Sequence, residues 1–144
     1  MAETYPISNF HFTVDWGGTR IGFQEVSGLG MEVQVIEYRE GSRAEHSAIK
    51  MPGLKKYGNI TLKRGVALGD NEFFEWWNTL QMNKIERRDI TISLLNENHE
   101  PAVVWRVRDA FPVKVLWGDL KAGASEVAIE SMEIACEGIT VLNE

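Results

Sequence analysis

The residue types in this chain that could do chemistry are three histidines, one cysteine and a closely spaced pair of glycines. His11, His46 and His99 fall in a strand-like run, a long polar stretch and a turn. No two of them stand at metal-ligand spacing from each other or from Cys136. His99 lies between Glu97 and Glu100, residue types that perform acid–base catalysis, but Asn96 to Pro101 reads first as a solvated turn. Gly28-Leu29-Gly30 begins a dinucleotide fingerprint. The third glycine is missing and a strand follows where a helix is required, so phosphate binding is not expected. No P-loop and no nucleophile elbow is present. Cys136 reads as a small hydrophobe in a strand rather than a reactive thiol, and a lone cysteine makes no intrachain disulfide. The expectation is a protein with no catalytic residues, no cofactor and no metal site; it is not an enzyme.

Contact chemistry is better represented. Residues 31–38 and 59–66 read as strands, and about 20 residues separate them, far more than a hairpin needs. The stretch 40–58 mixes charges with Ala, Ile, Met, Leu and Tyr, so it lacks the composition of a solvated linker. It reads as an arm built to touch something. Pro52-Gly53 gives it a bend, and Met51, Leu54 and Tyr57 give it apolar contact points. Arg43, Glu45, Lys50, Lys55 and Lys56 supply charge.

The charge is segregated along the chain. From His46 to Gly69 there are five cations (Lys50, Lys55, Lys56, Lys63, Arg64) and no acid. From Asp119 to Glu144 there are six acids against Lys121. This reads either as two solvated faces or as two patches that fix a partner's register. The net charge of −6 argues against a protein dedicated to coating nucleic acid.

The elements that must position these residues follow a period of two. Phe10, Phe12, Val14 and Trp16 alternate with polar residues; Gly17-Gly18 then marks a turn, and Ile21 and Phe23 resume, which reads as a hairpin. Further strands run through Ile60–Val66, Ile90–Leu94 and Val103–Val107, with Val113–Trp117 as a short strand after Pro112. One helix is expected over 70–82, with Asp70 as N-cap and Phe73, Trp76 or Trp77, and Leu80 as its stripe. Phe74 and one tryptophan fall off that stripe. They either widen the apolar face or pack on a neighbouring subunit. Residues 125–142 stay ambiguous: Glu126, Glu130, Glu133 and Glu137 have helical spacing, with Ser125 as a candidate cap and Gly138 as a candidate end of a helix. At 144 residues a single domain over 1–144 is expected, large enough for a real core. The N-terminal MAETYPISNFHF shows no leader pattern, so synthesis in the cytoplasm is expected.

Five blocks carry a resemblance. FQEVSGL, EYREG, KMPGLKKYGNITLKRG, RRDITISLLNE and EVAIESMEIACEG, in that order, are similar to the inner tube proteins of contractile injection machines. These are the tail tube proteins of contractile-tailed phages and of phage-tail-like extracellular injection systems, with type VI secretion tube proteins as more distant cousins. The match spans roughly residues 8 to 142. It implies strands at 125–142, with a bulge shifting their phase. The fold expected is mainly β: an antiparallel barrel or sandwich with one flanking helix and a long protruding loop. The resemblance implies a structural protomer of hexameric rings stacked into an inner tube, with a lumen for a cargo effector or DNA. Its implied partners are further copies of itself, a contractile sheath protein, and baseplate and terminator proteins. The particle is a virion or an extracellular injection device, with no membrane contact at rest. On this reading Arg43, Glu45, Lys50, Met51, Leu54, Lys55, Lys56 and Tyr57 contact the next ring, and Phe73, Trp77 and Leu80 contact a neighbour within the ring. The alternative is a small β-barrel that binds a ligand.

Overall fold

Apolar–polar alternation resolves into nine strands and one short helix in the computed structural model, which describes residues 6–17, 22–39, 41, 49–81, 84–123 and 125–143. In chain order these are β1 (Phe12–Asp15), β2 (Glu25–Ser27), β3 (Met31–Tyr38), β4 (Ile49–Tyr57), β5 (Ile60–Gly65), α1 (Glu72–Trp77), β6 (Arg88–Leu95), β7 (Pro101–Trp117), β8 (Ile129–Ala135) and β9 (Gly138–Asn143). Seven of them form one antiparallel sheet in the order β1-β6-β7-β8-β5-β2, with β9 added on β7; β3 and β4 form a separate two-stranded sheet.

β7 joins the two halves of the large sheet. Its first part pairs with β6 and β9, and its last part, from Phe111 onward, pairs with β8. Asp109 adopts φ 53°, and the register slips between Pro112 and Lys114, so the strand bends where it changes partners. Pro112 therefore lies buried inside one 17-residue strand and does not separate two, as the sequence reading had it. The two halves close over a shared core that includes Trp16, Leu62, Phe73, Trp76, Ile90, Val107, Met132 and Ile139. The sheet does not close into a barrel; the arrangement is sandwich-like.

The ambiguous C-terminal segment is two strands. β8 presents Glu130, Met132 and Ile134 inward, and the break at Cys136-Glu137 resets the phase before β9. Two other expectations are corrected. β1 does not form a hairpin with the segment after it: it pairs with β6, while β2 pairs with β5 at the far edge of the sheet. Trp16, just past β1, is 1% exposed, and its burial against Phe73 and Trp76 draws β1 to the β6 side. Gly18 to Ile21 lie outside the described residues.

The helix is also shorter than expected, Glu72–Trp77 rather than 70–82. Asp70 Oδ1 accepts the Glu72 N–H at 3.1 Å, which serves the start of the helix. At the other end the Thr79 hydroxyl donates to the Trp76 carbonyl at 2.7 Å and accepts the Glu86 N–H at 3.1 Å. This local bonding competes with further helical turns. Leu80 is thus beyond the helix, and Met82 lies outside the described residues.

Candidate functional site

The stretch expected to be a loop is half strand. β4 pairs antiparallel with β3 from Met31 opposite Tyr57 to Tyr38 opposite Ile49. The pairing of β2 with β5 uses the same two chain segments, Ser27 opposite Thr61. The two ladders are one long ribbon from Glu25 to Gly65: its inner half belongs to the large sheet and its outer half projects as an arm. Sequence reasoning missed β4 because Pro52 and Gly53 interrupt its pattern. A two-stranded ribbon has free edges, where proline is tolerated.

Three glycines surround the joint between the halves. Gly28 has φ 86°, and a Cβ there would stand 2.2 Å from the Asn59 carbonyl oxygen. Gly58 donates its N–H to the Gly30 carbonyl at 3.0 Å. Gly28→Ala is therefore expected to cost about 1–3 kcal/mol from backbone strain alone. Urea unfolding of the purified protein measures this, and an unchanged midpoint would show that the joint is not tight.

The arm buries almost nothing on itself. Met31, Val33, Val35, Ile36, Tyr38, Ile49, Met51 and Leu54 are all at least 42% exposed. Directly opposed residues share a face of the ribbon. Met31, Val33 and Val35 make the inner part of one face apolar. Between Val33 and Val35 β3 advances two residues while β4 advances three, from Lys55 to Pro52. This bulge shifts the phase of β4. Further out the apolar pairs Ile36–Met51 and Tyr38–Ile49 lie on the other face. The positive sign expected for this stretch is diluted, because Lys56 stands opposite Glu32 and Lys50 opposite Glu37; Lys55 stands opposite Val33.

Arg64 does not belong to that positive patch at all. Period two turns it inward on β5, directly opposite Glu130 on β8. Its Nε donates to Glu130 Oε1 at 2.7 Å and its Nη2 to Asp70 Oδ1 at 3.0 Å, with the three side chains 1%, 5% and 7% exposed. The guanidinium also lies 4.3 Å from the Phe73 ring centroid and 5.2 Å from that of Trp16. Among the described residues Nη1 is buried without a hydrogen-bond partner. One cation of the basic stretch and one acid of the acidic stretch thus neutralise each other in the core. Arg64 ties β5, from which the arm continues, to β8 and to the start of α1.

The predicted contact residues separate into groups. Lys50, Met51, Leu54, Lys55 and Lys56 are exposed on the arm, while Tyr57 at its root packs against the core. Arg43 and Glu45 lie outside the described residues. On α1, Phe73 is 1% exposed and belongs to the core, and the buried tryptophan is Trp76 rather than Trp77. Trp77 is half-buried, and Phe74 and Leu80 are exposed.

His11 and His99 come together with ring centroids 5.0 Å apart, beside Phe10, which the sequence spacing did not reveal. Among the described residues no group of three possible ligands surrounds a metal position. The turn at His99 is organised by Asn96, whose side-chain oxygen accepts the N–H groups of Asn98 and Glu100 at 2.9 and 3.0 Å. His46 is outside the described residues. Burial pushes the Cys136 thiol up, against a smaller lowering by a backbone hydrogen bond from Gly138, which is opposite to what activates a nucleophile.

The antiparallel β-sandwich carries a long, solvent-exposed apolar ribbon, and an exposed apolar patch of that kind marks an interaction surface. The model of the T4-like virus tail tube protein gp19 family matches residues 8–140, and the chain belongs to that family. Among solved structures, a chain of the anti-feeding prophage cap (the AFP tube-terminating cap) is similar at 36% identity and TM-score 0.89, over 100% of this chain and 95% of that one. A chain of the PVC extracellular contractile injection system, from its sheath–tube complex in the extended state, is similar at 35% identity and TM-score 0.88, over 98% and 94%. Hcp1 from Flavobacterium johnsoniae shares the fold alone, at 16% identity and TM-score 0.60, over 92% and 95%. No curated protein is matched. The protein is a tail tube protein of contractile injection systems, a component of a phage tail or an extracellular injection particle.

Proposed function

We infer that this chain is the protomer of hexameric rings that stack into a hollow inner tube, through whose lumen a cargo effector or DNA passes. The observation that carries this reading is the arm: an apolar, two-sided ribbon of a tail tube protein, held away from its own core. An exposed apolar surface of this extent marks a site of contact with another molecule. Within a ring, the edge strands β1, β2 and β9 are available for pairing between copies, which converts an aggregation hazard into assembly. Trp77 and Leu80, with Phe74, form the contact around the ring, backed by Phe73 in the core. Lys50, Met51, Leu54, Lys55 and Lys56 contact the next ring.

The related chains come from a sheath–tube complex, a tube-terminating cap and a baseplate. These support a contractile sheath protein, terminator proteins and baseplate proteins as partners. The chain is made in the cytoplasm and acts by assembly, not catalysis. The ligand-carrier alternative gains no support, because the sheet stays open and Trp16, Phe73 and Trp76 fill the interior.

Native mass spectrometry and sedimentation test the reading. Hexamers or their multiples are expected, with rings or tubes by electron microscopy. A strictly monomeric chain at high concentration and low salt would overturn it.

A further inference from the structure

We propose that His11 and His99 form a two-imidazole site for a zinc ion, which clips the start of β1 to the turn between β6 and β7. The tube reading gives these residues no role. Both ligands come from one chain, so the site does not depend on how copies assemble.

The fold makes the pair. His11 directly precedes β1, and its carbonyl accepts the Leu95 N–H at 2.8 Å, which carries the β1–β6 ladder one step further. His99 lies in the turn that follows β6. Asn96 closes that turn: its carbonyl accepts the His99 N–H at 3.0 Å, and its own N–H donates to the Glu100 carbonyl at 2.9 Å. His99 takes a left-handed conformation, φ 61°, which the closed turn holds in place. Backbone hydrogen bonds thus position both residues before any ligand arrives, which lowers the entropic cost of binding. Phe10 meets the His11 ring edge-on at 4.4 Å and limits its rotation.

The geometry suits a tetrahedral cation. Zinc binds an imidazole nitrogen at about 2.0–2.1 Å, so each ring centroid lies roughly 3.2 Å from the metal. Two imidazoles at the tetrahedral angle then hold their centroids about 5 Å apart. The observed separation is 5.0 Å, with the rings inclined at 39°. Among the described residues neither imidazole makes a hydrogen bond, so ring nitrogens are left to bind a metal. His11 is partly exposed and His99 exposed, so a cation in solvent reaches both. Glu97 and Glu100, exposed on either side of His99 in the turn, add negative potential there. Among the described residues no third ligand stands in place, so water fills the remaining positions and the ion exchanges freely.

The consequence falls on β1. That strand has four residues and pairs only with β6, at the edge of the sheet. An edge strand held on one side opens at lower cost than the core. A cation bound by the assembled pair and not by the separated segments favours the closed form by linkage.

Equilibrium dialysis of the full chain against zinc chloride tests the site, in a Cys136→Ser background that removes the thiol as a competing ligand. One zinc per chain is expected. His11→Gln and His99→Gln are each expected to weaken binding by about a hundredfold, because the second imidazole then no longer binds intramolecularly. His46→Gln is expected to leave it unchanged. Circular dichroism is expected to match in all variants, since the substituted rings carry no hydrogen bond of the fold. Hydrogen exchange gives a second readout: zinc is expected to slow exchange of the Leu95 amide in the parent and in neither His11→Gln nor His99→Gln. Failure of the parent to bind zinc, or binding that survives either of those two substitutions, would overturn the site. Zinc bound through both histidines with no slowing at Leu95 would overturn the clip.

Discussion

Replacing Arg64 with methionine is expected to lower the unfolding free energy by about 3–5 kcal/mol, because it leaves buried carboxylates without their counter-ion. Glu130 and Asp70 are the carboxylates that lose their bond to the guanidinium, at 5% and 7% exposure. Most domains have only about 5–15 kcal/mol of stability in all, so the loss is a large share. The ring contacts to Phe73 and Trp16 go too, but methionine retains much of the apolar packing. Removing both charges with Arg64→Met and Glu130→Met is expected to recover most of the loss, since a buried pair replaced by apolar groups is often neutral. Recovery stays partial while Asp70 remains, although its bond to the Glu72 N–H still gives it one donor. Urea denaturation of the two variants decides the matter. Equal midpoints for Arg64→Met and the unaltered protein would mean that the triad holds nothing together.

The second large effect belongs to Trp76. It is fully buried, and its indole N–H donates to the Glu86 carbonyl at 2.7 Å. It also packs 6.1 Å from Trp16 and lies 4.7 Å from the Arg88 guanidinium. Trp76→Ala is expected to cost about 3–5 kcal/mol, the range for a buried aromatic truncated to a cavity. Trp77→Ala is expected to differ in kind. The side chain is half-buried on the outer side of α1, so stability should fall little while ring formation weakens. Thermal unfolding separates the two variants, and native mass spectrometry reads assembly. Similar losses of stability from both would place both tryptophans in the core. A Trp77→Ala protein that folds and assembles normally would remove Trp77 from the ring contact.

Much of the molecule was legible in local pattern. Strands β5, β6 and the first half of β7 show alternation, and the turn at Asn96 to Pro101 carries its own signals. A short helix near residue 70 follows from an acidic start and an aromatic cluster. The family resemblance, carried by blocks along almost the whole chain, supplied the β reading of residues 125–142 that glutamate spacing left open.

Long-range partnership was not legible, because alternation tells which residues share a face and not which strand lies alongside. β1 was paired with its sequence neighbour on turn chemistry, yet burial of Trp16 sets it against β6. β4 was read as loop because Pro52 and Gly53 break local propensity, and its partner β3 overrides that. Trp76 and Trp77 are adjacent, so period alone could not choose which one the core takes. Arg64 looked like one more surface cation until period two on β5 and β8 put it opposite Glu130 in the interior. The sequence by itself determined most of the strands and the class of protein, because those depend on neighbouring residues and on ordered motifs. Only the tertiary structure decided where charge is neutralised and which apolar residues remain outside, because burial is set by residues far apart in the chain.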